Sequence, residues 1–424
     1  MKKIVLTLLV ALTLCAPVYA SEQETPAFWL RQTADETTLL LSSNALQTYQ
    51  QELIDGAPHT LSNLATLPWS YSMATLRQWI TDAKWPENIR FRNGQPFNNP
   101  QEKEKLLPAA AIWQSTQRQF VRYGVMTKNA NLRTFPTADE YTQKVGGFDR
   151  LQETSLDLGE PMAILLEHPD RPWFYVQTYH YRGWVEKEAV ASILTRKAWL
   201  SWVNPAVKRI SLAPAATLTS GENLRMGASL PVLDNKTCLP RRDEKGFLTT
   251  VALSNADSNA LFASPLPCTR QNIVRQALQY YDAPYVWGDS GDGVDCSGLV
   301  VRVFRGLGLA LPRNADEQEE APGWKINMAG KSTIERQQVL DKLPSGSLLH
   351  MDGHVMIYLG KSAGNYWVVH AYSGHMEPAI DGKLRFRSVM RVTISPLSLL
   401  RADGATFLDS LTTVRQWLPE NYSS

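Results

Sequence analysis

The sequence predicts a multidomain α+β protein with a helical N-terminal segment, two small β-barrels, and a C-terminal domain in which helices precede a sheet. Its 424 residues suffice for roughly two to four domains of ordinary size. A hydrophobic fraction of 44% excludes a broadly disordered chain. The spacing of apolar residues changes from helical to alternating near residue 119 and becomes helical again after Cys268, which indicates the domain boundaries.

Residues 1–20 have the pattern of a secretory signal peptide. A short basic start precedes the apolar run Ile4–Ala16, which is too short to span a bilayer comfortably. Val18-Tyr19-Ala20 then places small residues at a cleavage site, so we expect an exported protein, in a bacterial periplasm or outside the cell. A lipoprotein that carries its lipid on Cys15 is the less favoured alternative, because the bulky Leu14 precedes that cysteine.

Charge and cysteine content limit the partners. Lys and Arg total 43 and Asp and Glu total 41, so removal of two leader lysines leaves 41 of each. No basic excess is left to bind nucleic acid or anionic lipid, and no later stretch predicts a membrane helix. Cys238, Cys268 and Cys296 remain, and an odd number in an oxidising compartment leaves one thiol unpaired. Cys238 and Cys268 form either a disulfide or two separate buried thiols, and we expect a monomer.

Residues 21–118 are predicted to be helical. Ser43 or Asn44 can cap a helix that extends through Gln51–Leu53, and Ser72 precedes a second helix over Met73–Ala83, where the apolar residues have helical spacing. The stretch Trp85–Pro108 is rich in Pro, Asn and Gly, which predicts an ordered loop, and none of its residues indicates a chemical function.

Short strands with turn residues between them predict two consecutive barrels, over residues 119–192 and 193–266. The first set is Tyr123–Met126, Asn131–Pro136, Pro161–Leu166, Trp173–Thr178 and Gly183–Val185. The second, weaker set is Ala198–Val203, Leu230–Leu233 and Gly246–Ala252.

Residues 267–424 predict the α+β domain, and its second helix presents a candidate nucleophile. Asp295 is a good N-cap, so Cys296 lies in the first helical turn, where the partial positive charge favours a thiolate. Gly291 and Gly293 allow other groups to approach closely. A small buried structural cysteine is the alternative, which the glycine-rich loop and the odd cysteine count disfavour.

Two histidines on adjacent predicted strands supply a candidate base. If Gly360–Gly364 is the loop, Leu359 pairs with Asn365, and His354 pairs directly with His370 on the same face. One imidazole can then orient the other, as a thiol nucleophile requires. These histidines and the cysteine could instead bind zinc, but the close-spaced ligand pairs of zinc sites are missing, so we expect no metal and no cofactor.

Five motifs in order resemble those of the NlpC-type papain-like cysteine peptidases, which hydrolyse bacterial cell-wall peptides. They are Pro284–Gly288, Asp295–Gly298, Leu311–Arg313, Gly353–Gly360 and Val369–Ala371. The resemblance covers about 268–400 and implies a papain-like domain. The upstream layout resembles one subgroup, the γ-D-glutamyl-L-diamino acid endopeptidases, in which a stabilising N-terminal segment and two bacterial SH3-like barrels precede the peptidase.

The resemblance implies catalytic roles for four residues. Cys296 would be the nucleophile, His354 the base and His370 the residue that orients the base. Tyr285 would help to bind the oxyanion through its hydroxyl, beside the Cys296 backbone N–H. For Tyr285, a place in the core is the structural alternative.

The resemblance also implies how the substrate is held. Asp295 and Ser297 match positions that bind the α-amino group of the substrate, although a helix cap alone would also explain them. In the subgroup the first barrel closes one end of the cleft, and Tyr181 and Glu153 are the candidate contacts there, with an exposed tyrosine and a solvated charge as the alternatives. Asp289 departs from the family pattern, which has a second glycine at that position.

These residues predict an exported cysteine endopeptidase. Its substrates would be peptidoglycan stem peptides or muropeptides, cut at the γ-D-glutamyl-diamino acid bond, with a free N-terminal L-Ala preferred. The alternatives are a thiol amidase or acyltransferase on the same scaffold, and a non-catalytic cell-wall-binding protein.

Overall fold

The computed structural model describes residues 21–57, 61–115 and 117–416, and the chain has the predicted multidomain α+β class. The predicted signal peptide, residues 1–20, lies outside the described residues. Within the described ranges, no helix combines the length and the apolar character that crossing a membrane requires.

The N-terminal segment consists of short helices and short strands rather than of helices alone. Its elements are α1 (Pro26–Gln32), β1 (Leu39–Leu41), α2 (Ser43–Gly56), β2 (Ser70–Ser72), α3 (Met73–Thr81), β3 (Phe91–Arg92), β4 (Gln95–Pro96), α4 (Glu102–Leu106) and β5 (Arg118–Phe120). Ser42 caps α2, in place of the predicted Ser43 or Asn44, and Ser72 caps α3, each through its side-chain oxygen. The segment contributes to two cores, because Trp29 and Tyr49 pack against the C-terminal domain and Leu76 packs against the first barrel.

The sheet of the first barrel has seven strands, the five predicted and two more, and one further short strand of this region lies outside it. The elements of the region are β6 (Arg122–Met126), β7 (Ala130–Arg133), β8 (Tyr141–Thr142), β9 (Gln152–Leu156), β10 (Pro161–Glu167), β11 (Trp173–Gln177), β12 (Arg182–Glu186) and β13 (Val190–Ile193). The sheet has the order β13-β6-β10-β11-β12-β7-β9, and β8 pairs with β3. The strands β9 and β13 were not predicted, because β9 is mostly polar and β13 is very short.

The second β unit is smaller, and one of its predicted strands is wrong. Its elements are α5 (Arg196–Val203), β14 (Lys208–Ile210), β15 (Ala215–Thr217), β16 (Asn223–Arg225), β17 (Ser229–Leu233), β18 (Lys236–Arg242), β19 (Leu248–Ala252) and α6 (Asn255–Asn259). The predicted strand Ala198–Val203 is the helix α5, capped by Thr195. Helical spacing places Trp199 and Trp202 together in the core of the first barrel, and this burial decides the conformation.

The C-terminal domain has a six-stranded antiparallel sheet with helices packed against both faces. Its elements are β20 (Cys268–Thr269), α7 (Arg270–Leu278), α8 (Cys296–Gly306), α9 (Ala315–Glu320), β21 (Lys325–Asn327), α10 (Thr333–Leu340), β22 (Leu348–Met351), β23 (His354–Ser362), β24 (Asn365–Pro378), β25 (Leu384–Pro396) and β26 (Leu411–Arg415). The sheet order is β21-β26-β22-β23-β24-β25, and α8 packs on β23 and β24. This contact brings the start of α8 to the start of β23.

The hairpin between β23 and β24 is tighter than predicted. Its turn is Ala363-Gly364, whose φ angles are 48° and 78°. Ser362 therefore pairs with Asn365, and the predicted pairing of Leu359 with Asn365 is wrong. Two central residues with positive φ form the two-residue turn that best fits the twist of the flanking strands.

A β-bulge in β23 determines which face of the hairpin carries the histidines. The register shifts by one residue between Tyr358 and Gly360. Continued beyond the bulge, the register sets His354 opposite Tyr372, so the predicted direct pairing of His354 with His370 is wrong. The two histidines still share a face, because the bulge restores the parity that the tight turn removed.

Cys238 and Cys268 are separate thiols. Cys238 lies in β18 and Cys268 begins β20, and both are buried and free. Of the two alternatives that the sequence allows, the disulfide is therefore wrong. Burial also raises the pKa of the Cys268 thiol to about 11, which keeps it protonated and unreactive.

One buried carboxylate joins the first barrel, the second β unit and the C-terminal domain. Asp157, directly after β9, accepts from Arg225 of β16 at 2.7 Å and contacts Arg302 and Arg305 of α8 at 2.5 and 2.7 Å. Burial opposes the charge of Asp157, but the three guanidinium groups outweigh this effect and hold its pKa well below the usual range. The cluster fixes the first barrel against the helix that carries Cys296.

Candidate active site

The start of α8 positions Cys296. The Asp295 carboxylate accepts the Gly298 backbone N–H at 2.7 Å and the Gly288 backbone N–H at 2.8 Å, so it both caps α8 and holds the preceding turn. Cys296 follows as the first helical residue and is 9% exposed. Its thiol lies near the backbone N–H groups of Ser297 and Val355.

The resting thiol is neutral, contrary to the prediction of a favoured thiolate. Burial, and then the negative charge of Asp295, raise the pKa of the Cys296 thiol to about 12. The partial positive charge of the helix N-terminus is outweighed, because the residue that caps the helix is itself an anion beside the thiol. Attack by Cys296 therefore requires a base that removes its proton during the reaction.

His354 and His370 form a hydrogen-bonded pair. The His354 Nε2 atom lies 2.8 Å from the His370 Nδ1 atom, and the His370 ring stacks on Tyr372 with a centroid distance of 4.1 Å. Burial, and then the charge of Arg401, lower the pKa of His354 to about 4, so this imidazole is neutral above that pH. Since its Nε2 atom is engaged by His370, the Nδ1 atom is the one that can accept a proton.

Arg313 links the cap of α8 to the first barrel. Its guanidinium donates to both carboxylate oxygens of Asp295, at 3.0 and 2.7 Å, and to the Ser297 Oγ atom at 2.9 Å. It also donates to the Thr154 Oγ1 atom of β9 at 2.8 Å. Burial opposes ionisation of Asp295, but Arg313 and the two backbone N–H groups hold the pKa of that carboxyl below its usual value.

Asp289 is the departure from the family pattern, and here it supports the turn before Cys296. It is buried, has a φ of 54°, and accepts the Asp295 backbone N–H at 3.0 Å. Its carboxylate lies 3.3 Å from Arg313 and 3.6 Å from Arg302. Any side chain at Gly298 would collide with this carboxylate, which explains the glycine there.

Tyr285, Tyr181 and Glu153 border the nucleophile and the Asp295 cluster. Burial, and then the charges of Cys296 and Asp295, raise the pKa of Tyr285 far above its usual value, so its hydroxyl keeps the proton that it can donate. Tyr181 and Thr134 each donate a hydroxyl hydrogen bond to Glu153. Tyr181 is also near enough to Arg313 for their charges to interact, which places it at the Asp295 end of the site.

A cavity of about 260 Å³ opens at His354. Its lining residues include Tyr285 and His354, together with Asp352, Arg401 and Phe407, but not Cys296. Glu153, Tyr181, Asp295 and Ser297 are not among its lining residues. The site therefore has two ends, one at the first barrel and one at this cavity.

Comparison with known proteins identifies the domain. Residues 282–383 match the NlpC/P60 family. The chain carries an NlpC/P60 domain. The resemblance inferred from the five motifs is thus confirmed, and residues 146–186 match an SH3 domain of the SH3b1 type, which makes the first barrel SH3-like. The SH3-like character of the second β unit stays a prediction.

Two curated proteins and one solved structure illustrate what this chain is similar to. Dipeptidyl-peptidase 6 of Lysinibacillus sphaericus is 27% identical over 240 residues, which cover 53% of this chain and 81% of that protein. The gamma-D-glutamyl-L-lysine dipeptidyl-peptidase of Bacillus subtilis strain 168 is 31% identical over 112 residues, 24% of this chain and 33% of that protein. An NlpC/P60 endopeptidase of Photobacterium damselae subsp. piscicida superposes with a TM-score of 0.75 over 94% of this chain and 97% of that one; at 16% identity this shows a shared fold.

Sequence reasoning did not predict that Asp289 belongs to the NlpC/P60 site. It also did not predict the contacts of Arg313 with Asp295 and Ser297. Their signals were the aspartate in place of a family glycine and the arginine of the Leu-Pro-Arg motif. Neither signal shows that the two residues meet beneath Asp295. Among the described residues, no group of three or more His, Cys, Asp and Glu side chains is arranged to hold a metal ion.

The neutral resting thiol predicts a distinctive pH dependence of alkylation. Because a thiol with a pKa of about 12 supplies thiolate in proportion to hydroxide, the rate at which iodoacetamide modifies Cys296 should rise about tenfold per pH unit from roughly pH 7 to 9. Peptide mapping follows this cysteine separately from the two buried thiols. A rate that levels off below pH 7 would instead indicate a thiolate formed in advance.

Proposed function

We propose that this protein is an exported cysteine endopeptidase that cleaves the γ-D-glutamyl-diamino acid bond of peptidoglycan stem peptides and prefers a free N-terminal L-Ala. The observation that carries the proposal is the neutral Cys296 thiol at the start of α8, beside the strand that begins with the hydrogen-bonded His354–His370 pair. The names of the Bacillus subtilis and Lysinibacillus sphaericus relatives support the bond and the reaction class.

In the proposed mechanism, His354 first accepts and then donates a proton, and its low pKa favours the donation. Its Nδ1 atom takes the thiol proton as Cys296 attacks the γ-carbonyl carbon, and His370 steadies the ring through the opposite nitrogen. The Tyr285 hydroxyl and the Cys296 backbone N–H would stabilise the oxyanion. Because a buried imidazolium gives up its proton readily, His354 then protonates the amine of the diamino acid, which leaves. Water, activated by the same imidazole, hydrolyses the thioester.

The first barrel supports the proposed preference for a free amino terminus. Tyr181 and Glu153 stand at the Asp295 end, so a peptide that enters there has little room before the D-Glu residue. The Asp295 carboxylate already accepts from five donors, which belong to Arg313, Ser297 and two backbone amides. Glu153 is half-buried, and the structure records only two donors to it, both neutral hydroxyls. We therefore assign the main contact with the ammonium group to Glu153, and direct contacts of Asp295 and Ser297 with it remain predictions.

Mass spectrometry of the products from defined peptides tests this function. Incubation with L-Ala-γ-D-Glu-meso-diaminopimelate should release L-Ala-D-Glu and free diaminopimelate. Release of L-Ala alone, or cleavage only between the sugar and the peptide of a muropeptide, would contradict the assigned bond. Transfer of the acyl group to an added amine, without hydrolysis, would indicate an acyltransferase.

A further inference from the structure

We propose that Arg401 binds a carboxylate of the departing diamino acid, and so selects substrates in which that carboxylate is free and ionised. This inference rests on the proposed function and extends it to the far end of the cleft. Arg401 lies beyond residue 383, where the match to the NlpC/P60 family ends.

The position of the cavity matches the leaving side of the substrate. In the proposed binding mode, the free amino end lies at Glu153 and Tyr181, against the first barrel. The substrate peptide must then continue past Cys296. We place its leaving end in the cavity of about 260 Å³ beside His354 and Tyr285. A diamino acid is small enough for a cavity of this size.

Arg401 is held in place at the cavity wall and has unused hydrogen-bonding capacity. Its backbone N–H donates to the Ala405 carbonyl at 2.9 Å, and its carbonyl accepts the Gly404 N–H at 3.0 Å, which fixes a tight turn. The Arg401 side chain is 29% exposed, and the one ion-pair contact that the structure records for its guanidinium is Asp352 at 4.0 Å. Asp352 itself is 92% exposed, so it is a weak competitor for a group with five N–H donors.

The Glu377 carboxylate at this end of the site is already paired. Glu377 accepts from Arg387 at 2.8 Å and lies 3.1 Å from the Nε2 atom of His375, which lines the cavity. Arg401 is therefore the cation best placed to receive an anion, and a planar guanidinium suits a carboxylate because both can form two parallel hydrogen bonds.

A departing diamino acid can offer such a carboxylate in two ways. Its α-carboxylate is free when the stem peptide ends at this residue. Diaminopimelate also has a second carboxylate on its side chain, which lysine lacks. The chemistry that Arg401 recognises is the same in both cases, so substrates must distinguish them.

Four synthetic peptides separate the two sources. L-Ala-γ-D-Glu is extended with meso-diaminopimelate or L-Lys, each with a free or an amidated α-carboxyl group. In the unaltered protein, amidating or removing the carboxylate that Arg401 binds should lower kcat/KM about ten- to hundredfold, as expected for a charge-assisted hydrogen bond. Arg401→Ala should lower kcat/KM by this factor only for peptides that carry that carboxylate.

Matched variants isolate the contact. Compared with Arg401→Ala, Arg401→Lys should restore part of the selectivity, because lysine keeps the positive charge but not the two parallel hydrogen bonds of a guanidinium. Arg385→Ala removes an exposed arginine that pairs with Asp381 and should not change the ratios between peptides. Removing Arg401 also raises the pKa of His354 toward its usual value, but this effect is common to all four peptides and cancels in their ratios.

Three results would overturn the inference. Equal kcat/KM for all four peptides would mean that the full chain reads no carboxylate. A uniform loss across the peptides in Arg401→Ala would mean that Arg401 has only a structural or electrostatic role. If the unaltered protein cleaved none of the four peptides, the proposed function itself would fail, and the inference with it.

Discussion

Cys296→Ala is expected to abolish peptide hydrolysis and leave the fold intact, with kcat lower by about 10⁴-fold or more. The thiol is the one nucleophile at the junction of α8 and β23 that the proposed mechanism uses, and alanine keeps both the helix propensity and the contacts of the capping Asp295. Turnover of L-Ala-γ-D-Glu-meso-diaminopimelate measures the loss. Thermal unfolding of the variant checks that the structure survives.

Variants of the other thiols and of the histidines make this result specific. Cys238→Ala is the matched control, since this thiol lies in β18 and should not affect turnover. His354→Ala should cost about 10²- to 10⁴-fold, as expected for loss of a general base. His370→Ala should cost less, because water can partly replace a positioning group, and His370→Asn should recover part of the loss. Turnover at the normal rate in Cys296→Ala would refute the mechanism.

The catalytic residues could be found from the sequence because their signals are local. Asp295 before Cys296 predicts a capped helix start, and two histidines near one hairpin predict a shared face. The predicted shared face is observed, although the register from which it was predicted is wrong. The tight turn displaces the pairing by three residues and the bulge moves it back by one, so the parity is as predicted although the pairing is not.

The features that the sequence could not reveal depend on contacts between distant segments. The Arg313–Asp295 ion pair joins positions that the sequence shows separately, and Asp157 meets arginines from two other units. Burial and the charge of Asp295 raise the pKa of the Cys296 thiol, whereas reasoning from the helix N-terminus alone predicted a lowered pKa. The helix α5 was missed for the same reason, because its tryptophans fill the core of the neighbouring barrel.

Peptides with a free L-Ala amino terminus should be cleaved with a kcat/KM about 100-fold or more above that of their N-acetylmuramoyl counterparts. The muramoyl group removes the positive charge that Glu153 is proposed to bind, and it adds bulk on the side that the first barrel closes. Leaving a desolvated charge without its partner costs about 2–5 kcal/mol, which corresponds to this range. Kinetics on a matched pair of peptides measure the ratio.

Two isosteric variants then identify the carboxylate that reads the amine. Glu153→Gln should reduce the preference at least about tenfold, because the amide keeps the shape but not the charge, with its oxygen accepting from one hydroxyl and its NH2 group able to donate to the other. Asp295→Asn should instead slow both peptides alike, since it weakens the ion pair with Arg313 and the cap of α8. If the preference shrank in Asp295→Asn and persisted in Glu153→Gln, Asp295 would be the ammonium partner. Equal kcat/KM for both peptides in the unaltered protein would refute the proposed preference for a free amino terminus and leave the peptidase assignment in place.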